Sequence, residues 1–293
     1  MSRLGMVLLL VTGCYHPSVE ADVPCSPDGA CPTGQFCAAG RCVLDGTTAI
    51  DARAELPDDA PADAMADARR DAPVAPDAMP RFITWKATKS ATVSSVGGSS
   101  VTVSAPTCAA GDVLVGTVAM GNTGSNQMSV FTAPPGWTLV DRIDRGLDSA
   151  LLVYWRLVGT MEPASYTWQF TPQIEGVAWV SCYANVDATA PIDAEMGVLI
   201  ATTGPAYAAP SITTTTANTM LVAAWITHDN QTPTTWTATA GAVRANFNNG
   251  STRAALGVDT PVAAAGATPV LTGTASVVQD YAIVDVLALR PAP

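Results

Sequence analysis

From residue 81 onward the chain is a succession of apolar runs, five to nine residues long, each cut short by Gly, Pro, Asn or Asp. Runs of that length suit strands better than helices. The strongest lie at 113–120, 151–158, 177–183, 220–227 and 281–289, and all are rich in Val, Ile or aromatic residues. More polar segments at 82–86, 100–104, 137–143, 166–170, 211–215, 234–239 and 253–258 predict further strands. About twelve short strands with no convincing helix imply an all-β fold. The central runs are apolar on both faces and need cover on both sides. The expectation is therefore a two-sheet antiparallel sandwich, jelly-roll or immunoglobulin-like, over 81–293.

Composition agrees with this reading and excludes one class of partner. Hydrophobic residues make up 48% of the 293-residue chain, enough for a sizeable core, and charged residues only 13%. The net charge of −11 comes without any cluster of Lys or Arg, so no nucleic-acid partner is expected. The acidity is concentrated upstream of the strands. Nine acidic and three basic residues occupy 45–80, a net of −6. That segment repeats Asp-Ala and Ala-Pro units, carries five prolines and shows no periodic apolar face. It cannot bury enough surface to offset its ordering entropy, and a disordered, extended linker over 45–80 is expected. A ligand for a basic partner is the other reading of such a stretch.

The amino terminus reads as an export signal over 1–13. Met1-Ser2-Arg3 gives a positive start, 4–11 is apolar, and Thr12-Gly13-Cys14 is a small-residue exit. The apolar run is too short to cross a bilayer as a helix. Val11-Thr12-Gly13-Cys14 resembles the bacterial lipobox, which implies lipidation of Cys14 and a membrane partner through that lipid anchor; an ordinary secretory signal with a chance Cys is the alternative. Tyr15 stands where the familiar inner-membrane retention signal has Asp, so the expected location is the cell envelope, at the outer membrane or cell surface.

Removing Cys14 from the seven cysteines leaves an even six, which suits an oxidising compartment. Cys25, Cys31, Cys37 and Cys42 fall in a Cys-rich segment over 14–44 that resembles the short disulfide knots of secreted bacterial proteins, of the form C…CPxGxxC…GxC. The gaps lack the paired CxxC knuckles of structural zinc sites. Three pairings are possible and the spacing does not choose among them; Cys25 with Cys37 and Cys31 with Cys42 is the hypothesis. The distant Cys108 and Cys182 are expected to bridge, with two buried thiols as the alternative.

Several phrases across 85–291 resemble a module of secreted bacterial proteins and phage tail or surface proteins. They are Gly111-Asp112-Val113-Leu114-Val115, Pro134-Pro135-Gly136-Trp137-Thr138, Glu162-Pro163-Ala164-Ser165-Tyr166-Thr167-Trp168, Tyr183-Ala184-Asn185-Val186-Asp187, Pro191-Ile192-Asp193 and Val286-Leu287-Ala288-Leu289-Arg290-Pro291. The resemblance implies a sandwich of unassigned activity, used for binding or display, with no catalytic motif to carry over. Physically, Pro134-Pro135-Gly136 reads as a type II turn, and Asp187 and Asp193 as closing an Asx-type loop.

Candidate chemistry is sparse. His228 beside Asp229 is the sole His–Asp pair of the domain, and no GxSxG elbow accompanies it, so no catalytic residue and no cofactor are expected. Asp141, Asp144 and Asp148 offer oxygens to calcium, but the interleaved Arg142 and Arg145 favour local ion pairs, and no metal is assigned. Of the seven tryptophans, Trp155, Trp179 and Trp225 sit in apolar strands and read as core. Trp137, Trp168 and Trp236 lie in more polar strands and could line a sugar-stacking surface. The functional expectation is a membrane-anchored surface lipoprotein displaying a non-catalytic sandwich toward a glycan or a surface protein. A structural envelope component and a divergent hydrolase are the alternatives.

Overall fold

The computed structural model describes Ser26, Cys31, residues 35–38 and 41–44, and residues 81–293 apart from 123–128, 229–233 and 249–252. The expected signal peptide, Cys14 and the acidic linker lie outside these residues. By backbone contacts the chain divides into two units, Met1–Arg70 and Asp71–Pro293.

In the first unit β1 (Gln35–Ala38) and β2 (Arg41–Leu44) form an antiparallel hairpin. Cys42 is buried and bonded to Cys31, with the two Cα atoms 5.6 Å apart. That is the second-with-fourth pairing of the hypothesis; Cys25 and the Cys37 side chain lie outside the described residues.

The second unit is all β. Its first half comprises β3 (Thr84–Ser104), β4 (Val113–Asn122), β5 (Val130–Thr132), β6 (Thr138–Arg145), β7 (Ser149–Leu157) and β8 (Ser165–Ala184). The second half comprises β9 (Ile192–Ile200), β10 (Gly204–Ala208), β11 (Thr213–Thr214), β12 (Thr219–His228), β13 (Trp236–Ala238), β14 (Ala242–Asn248), β15 (Arg253–Val262), β16 (Gly266–Ala267), β17 (Thr272–Gln279) and β18 (Ala282–Leu289). All pairings are antiparallel.

The two halves repeat one topology. The first has the sheet order β3-β8-β4-β7-β6 and the second β9-β18-β12-β15-β14, which is the same order strand for strand. Each large sheet also carries its own cover. Strands β3 and β8 change register between Val93 and Gly98, where Gly97 takes a φ of 79°. Their outer portions, with β5, then lie over the outer face, where Val101, Val103, Trp168 and Phe170 pack on Leu114, Val118, Leu152 and Val180. In the second half β10, β17 and β13 do the same, and Tyr207, Trp236 and Ala275 pack on Leu221, Trp225, Leu256 and Val284. Left-handed residues precede β4 and β12 at equivalent places, Gly111 (φ 91°) and Asn218 (φ 59°).

The inner faces of the two large sheets pack against each other. Ala119, Leu151, Val177 and Trp179 meet Ala224, Ile226, Ala255 and Ile283; Val113, Val115, Val153 and Tyr183 meet Met220, Leu287 and Leu289. This is why the five strongest apolar runs are apolar on both faces. They form β4, β7, the inner part of β8, β12 and β18, with sheet on one side and cover on the other. Each large apolar side chain so buried contributes roughly 1.5–3 kcal/mol.

The expected bridge is present: Cys108 and Cys182 are bonded with Cα atoms 6.2 Å apart, tying the loop before β4 to β8. The type II turn is as read, with Gly136 at φ 82° and the Trp137 amide donating to Pro134 O at 3.4 Å. The two ends of the unit clasp each other. Asn185 Nδ2 donates to Phe82 O, the Ala292 amide donates to Asn185 O, and Val186 bridges Pro291.

Candidate functional site

The proposed aromatic surface is not a surface. Trp168 is fully buried and Trp236 is 2% exposed, each between a large sheet and its cover. Trp137 is half-buried and packs edge-on against Tyr166 and tilted against Trp168, with ring centroids 5.0 and 5.1 Å away. The strands of Trp168 and Trp236 are polar on one face only, and the two indoles occupy the other; Trp137 stands in the turn just before β6. Stacking a sugar on Trp168 or Trp236 is ruled out by burial. Trp179 and Trp225 are core as expected, while Trp155 is half-buried. The His228 side chain and Asp229 lie outside the described residues.

The aspartates weighed for calcium separate. A register shift between Leu139 and Asp141 sets the parity of β6, so that Asp141 shares a face with Ile143, which packs between the sheets. Asp144 is three positions from Asp141 and so falls on the opposite face of the strand. There Arg142 grips it, Nε to Oδ2 at 2.8 Å and Nη2 to Oδ1 at 2.9 Å, while the guanidinium lies over Phe131. Asp148 pairs with Arg145 at the following turn and stands 3.5 Å from the buried Arg253. Local ion pairs therefore hold Asp144 and Asp148, as the interleaved arginines suggested.

Asp141 instead joins two carboxylates from the other half. Asp285 of β18 sits between Ile283 and Leu287 on the inner face, and its neighbour across the ladder, Gly197, lies two residues from Glu195 on β9. One carboxylate oxygen from each of Asp141, Glu195 and Asp285 lies within 4.8 Å of the other two. Asp285 is 1% exposed, and its Oδ2 has no hydrogen-bond partner. Burial, with Glu195 and Asp141 beside it, pushes its carboxyl well above the usual range. Burial and the neighbouring Asp141 likewise raise that of Glu195. Asp141 and Glu195 are half-exposed and open the cluster to solvent. Asp285 could have been found in the sequence, because it is the one charge inside the apolar run 281–289. Glu195 gave no such signal, because Asp193, Glu195 and Gly197 interrupt the apolar residues of its strand, which the sequence does not predict.

A second feature is a groove of about 630 Å³ between the β5–β6 turn and the outer part of β8. Pro134, Pro135 and Pro163 give it apolar walls, and Thr132, Thr167 and Gln169 add polar groups. Its frame is a buried-side network. Arg156 donates through Nη1 to Pro135 O (2.6 Å), through Nε to Glu162 Oε2 (3.0 Å) and through Nη2 to Oε1 (3.1 Å). The Gly159 amide and Tyr166 Oη also donate to Glu162, at 2.7 and 2.8 Å.

The expected loop between Asp187 and Asp193 is half right. Asp187 Oδ1 accepts from the Thr189 and Ala190 amides as an Asx turn does. Asp193 opens β9 and reaches elsewhere, accepting from the amides and hydroxyls of Thr215 and Thr216 and from Arg290.

No helix among the described residues is long and apolar enough to cross a membrane. No protein family, no curated protein and no solved structure matches the chain.

Proposed function

We propose that the protein is exported, lipidated on Cys14 and held at the cell envelope, where it displays the sandwich as a binding module. The observation that carries this reading is the leader itself: a positive start, an apolar run and Val11-Thr12-Gly13-Cys14 at its end. The disulfides Cys31–Cys42 and Cys108–Cys182 support it, since bridges form and persist in oxidising compartments. Two acyl chains or more on one residue give a stable anchor, each buried methylene adding about 0.8 kcal/mol.

The proline-walled groove beside β8 is the surface offered to a glycan or peptide ligand. It combines apolar walls with convergent polar groups on a frame held rigid by Arg156 and Glu162, as binding pockets do. Mass spectrometry of the mature protein tests the anchor: an acylated Cys14 at the amino terminus is expected, with Cys14→Ala released from the membrane fraction. A mature terminus elsewhere, or an unlipidated Cys14, overturns it. For the groove, glycan-array and peptide-array binding that is lost in Gln169→Ala is the expected result. Binding unchanged in that variant moves the ligand to another face.

A further inference from the structure

We propose that Asp141, Glu195 and Asp285 bind a hard divalent cation, Ca²⁺, that cross-links the two stacked sheets. Three observations converge on it, and the first is the donor set. The three groups are carboxylates, with neither imidazole nor thiol among them, which selects hard cations. The three oxygens lie within 4.8 Å of one another, so one ion can touch all of them, and an irregular set of protein carboxylates suits Ca²⁺ better than Mg²⁺, which demands near-ideal octahedral geometry and keeps most of its waters.

The second observation is the buried oxygen. Asp285 Oδ2 has been taken out of water in the middle of an apolar strand and has no hydrogen-bond donor. Such a group is costly unless something compensates it. No Lys or Arg forms an ion pair with any of the three among the described residues. Arg142, adjacent to Asp141, gives its guanidinium to Asp144 and to Ser129 O on the far face of β6. The compensation is left to a bound cation or to protons shared among the carboxylates, and the cradle at Gly197 favours the cation.

The third is a cradle. Across the ladder from Asp285 stands Gly197, and a β-carbon there would overlap Asp141 Oδ2 and the Ile143 side chain. Glycine weakens a strand, and here it leaves the space that lets a carboxylate from one sheet reach over the other. The half-exposed Asp141 and Glu195 give the cation a path in, and water can complete a shell of six to eight oxygens.

The test uses the full chain stripped of metal by chelation, with thermal unfolding and calorimetric titration against Ca²⁺ and, separately, Mg²⁺. At a hundredfold excess over Kd, Ca²⁺ is expected to raise Tm by on the order of 5–10 °C. Asp285→Asn should abolish the rise, and Asp144→Asn, on the other face of the same strand, should leave it. Should Asp285→Asn fail to fold, the half-exposed Glu195→Gln and Asp141→Asn carry the comparison. No response of the wild type to millimolar Ca²⁺ overturns the proposal, since the three carboxylates would then be sharing protons. A response that persists in Asp285→Asn and Glu195→Gln overturns it too, placing the ion elsewhere.

Discussion

Glu162 shows how one side chain can organise a surface. It receives four hydrogen bonds, two from Arg156, one from the Gly159 amide and one from Tyr166. Burial works to raise its carboxyl, but the Arg156 hydrogen bonds, then Gly159 and Tyr166, outweigh it and hold the group below its ordinary value. A carboxylate lowered in the folded state adds stability that is complete above its unfolded pKa and disappears as pH falls through the folded one. Glu162→Gln should therefore cost about 1.5–3 kcal/mol at neutral pH and less as the pH drops below about 4. Urea unfolding of both proteins across that range measures it; a cost independent of pH contradicts the assignment. The sequence marks Glu162 only as part of a recurring phrase, because the donors that converge on it come from Arg156, six residues earlier, and from a turn whose geometry no local pattern encodes. The same holds for the acidic triad. Asp141 is visible as a candidate, but its partners are 54 and 144 residues away along the chain.

Among the strands, legibility tracks burial on both faces. The central β4, β7, β12 and β18 are continuous apolar runs and are read directly, whereas the edge strands β9 and β14 mix Gly, Ala and polar residues and are missed. Burial on both faces leaves a strong imprint on composition, and burial on one face of an edge a weak one. The two longest strands, β3 and β8, are read as separate short pieces because their pattern breaks where the register shifts. Strand glycines have a role invisible in the sequence, that of making room for indoles. A β-carbon on Gly257 of β15 would lie 2.9 Å from Trp179 Nε1 and 3.0 Å from the Ala245 β-carbon; one on Gly273 of β17 would lie 3.1 Å from the Trp225 ring. Gly257→Val should overpack the inter-sheet layer and cost about 1–3 kcal/mol, whereas Gly204→Ala, which meets nothing within 4 Å, should be close to neutral. Chemical denaturation of the pair checks this, and equal effects would contradict it.

At the level of the whole molecule, the all-β sandwich was legible and the duplication was not. Gly111-Asp112-Val113-Leu114-Val115 and Asn218-Thr219-Met220-Leu221-Val222 occupy equivalent places yet share only Leu and Val. What the halves keep in common is strand order and the need for one left-handed residue, which Gly and Asn both satisfy. The Cys108–Cys182 bridge lies wholly within the first half. Closing a loop of about 75 residues, it should stabilise by roughly 4 kcal/mol on the chain-entropy account. Replacing both cysteines with Ser should lower the urea midpoint by a corresponding amount without altering the strand content; an unchanged midpoint would mean that the bridge adds nothing to stability.

The clasp of Asn185 with Phe82 and Ala292 gives the second unit a polarity. Incoming and outgoing backbone meet at one pole, beside the first residues of β4 and the last of β8. The turn at Gly146–Asp148 and the β17–β18 corner at Asp280 stand at the other pole, as the ladders and the Ser149–Tyr281 hydrogen bond place them. Cargo fused after Pro293 would consequently sit beside the point where the backbone enters the unit at Phe82, whereas a peptide spliced into Gly146–Leu147 would ride at the opposite pole.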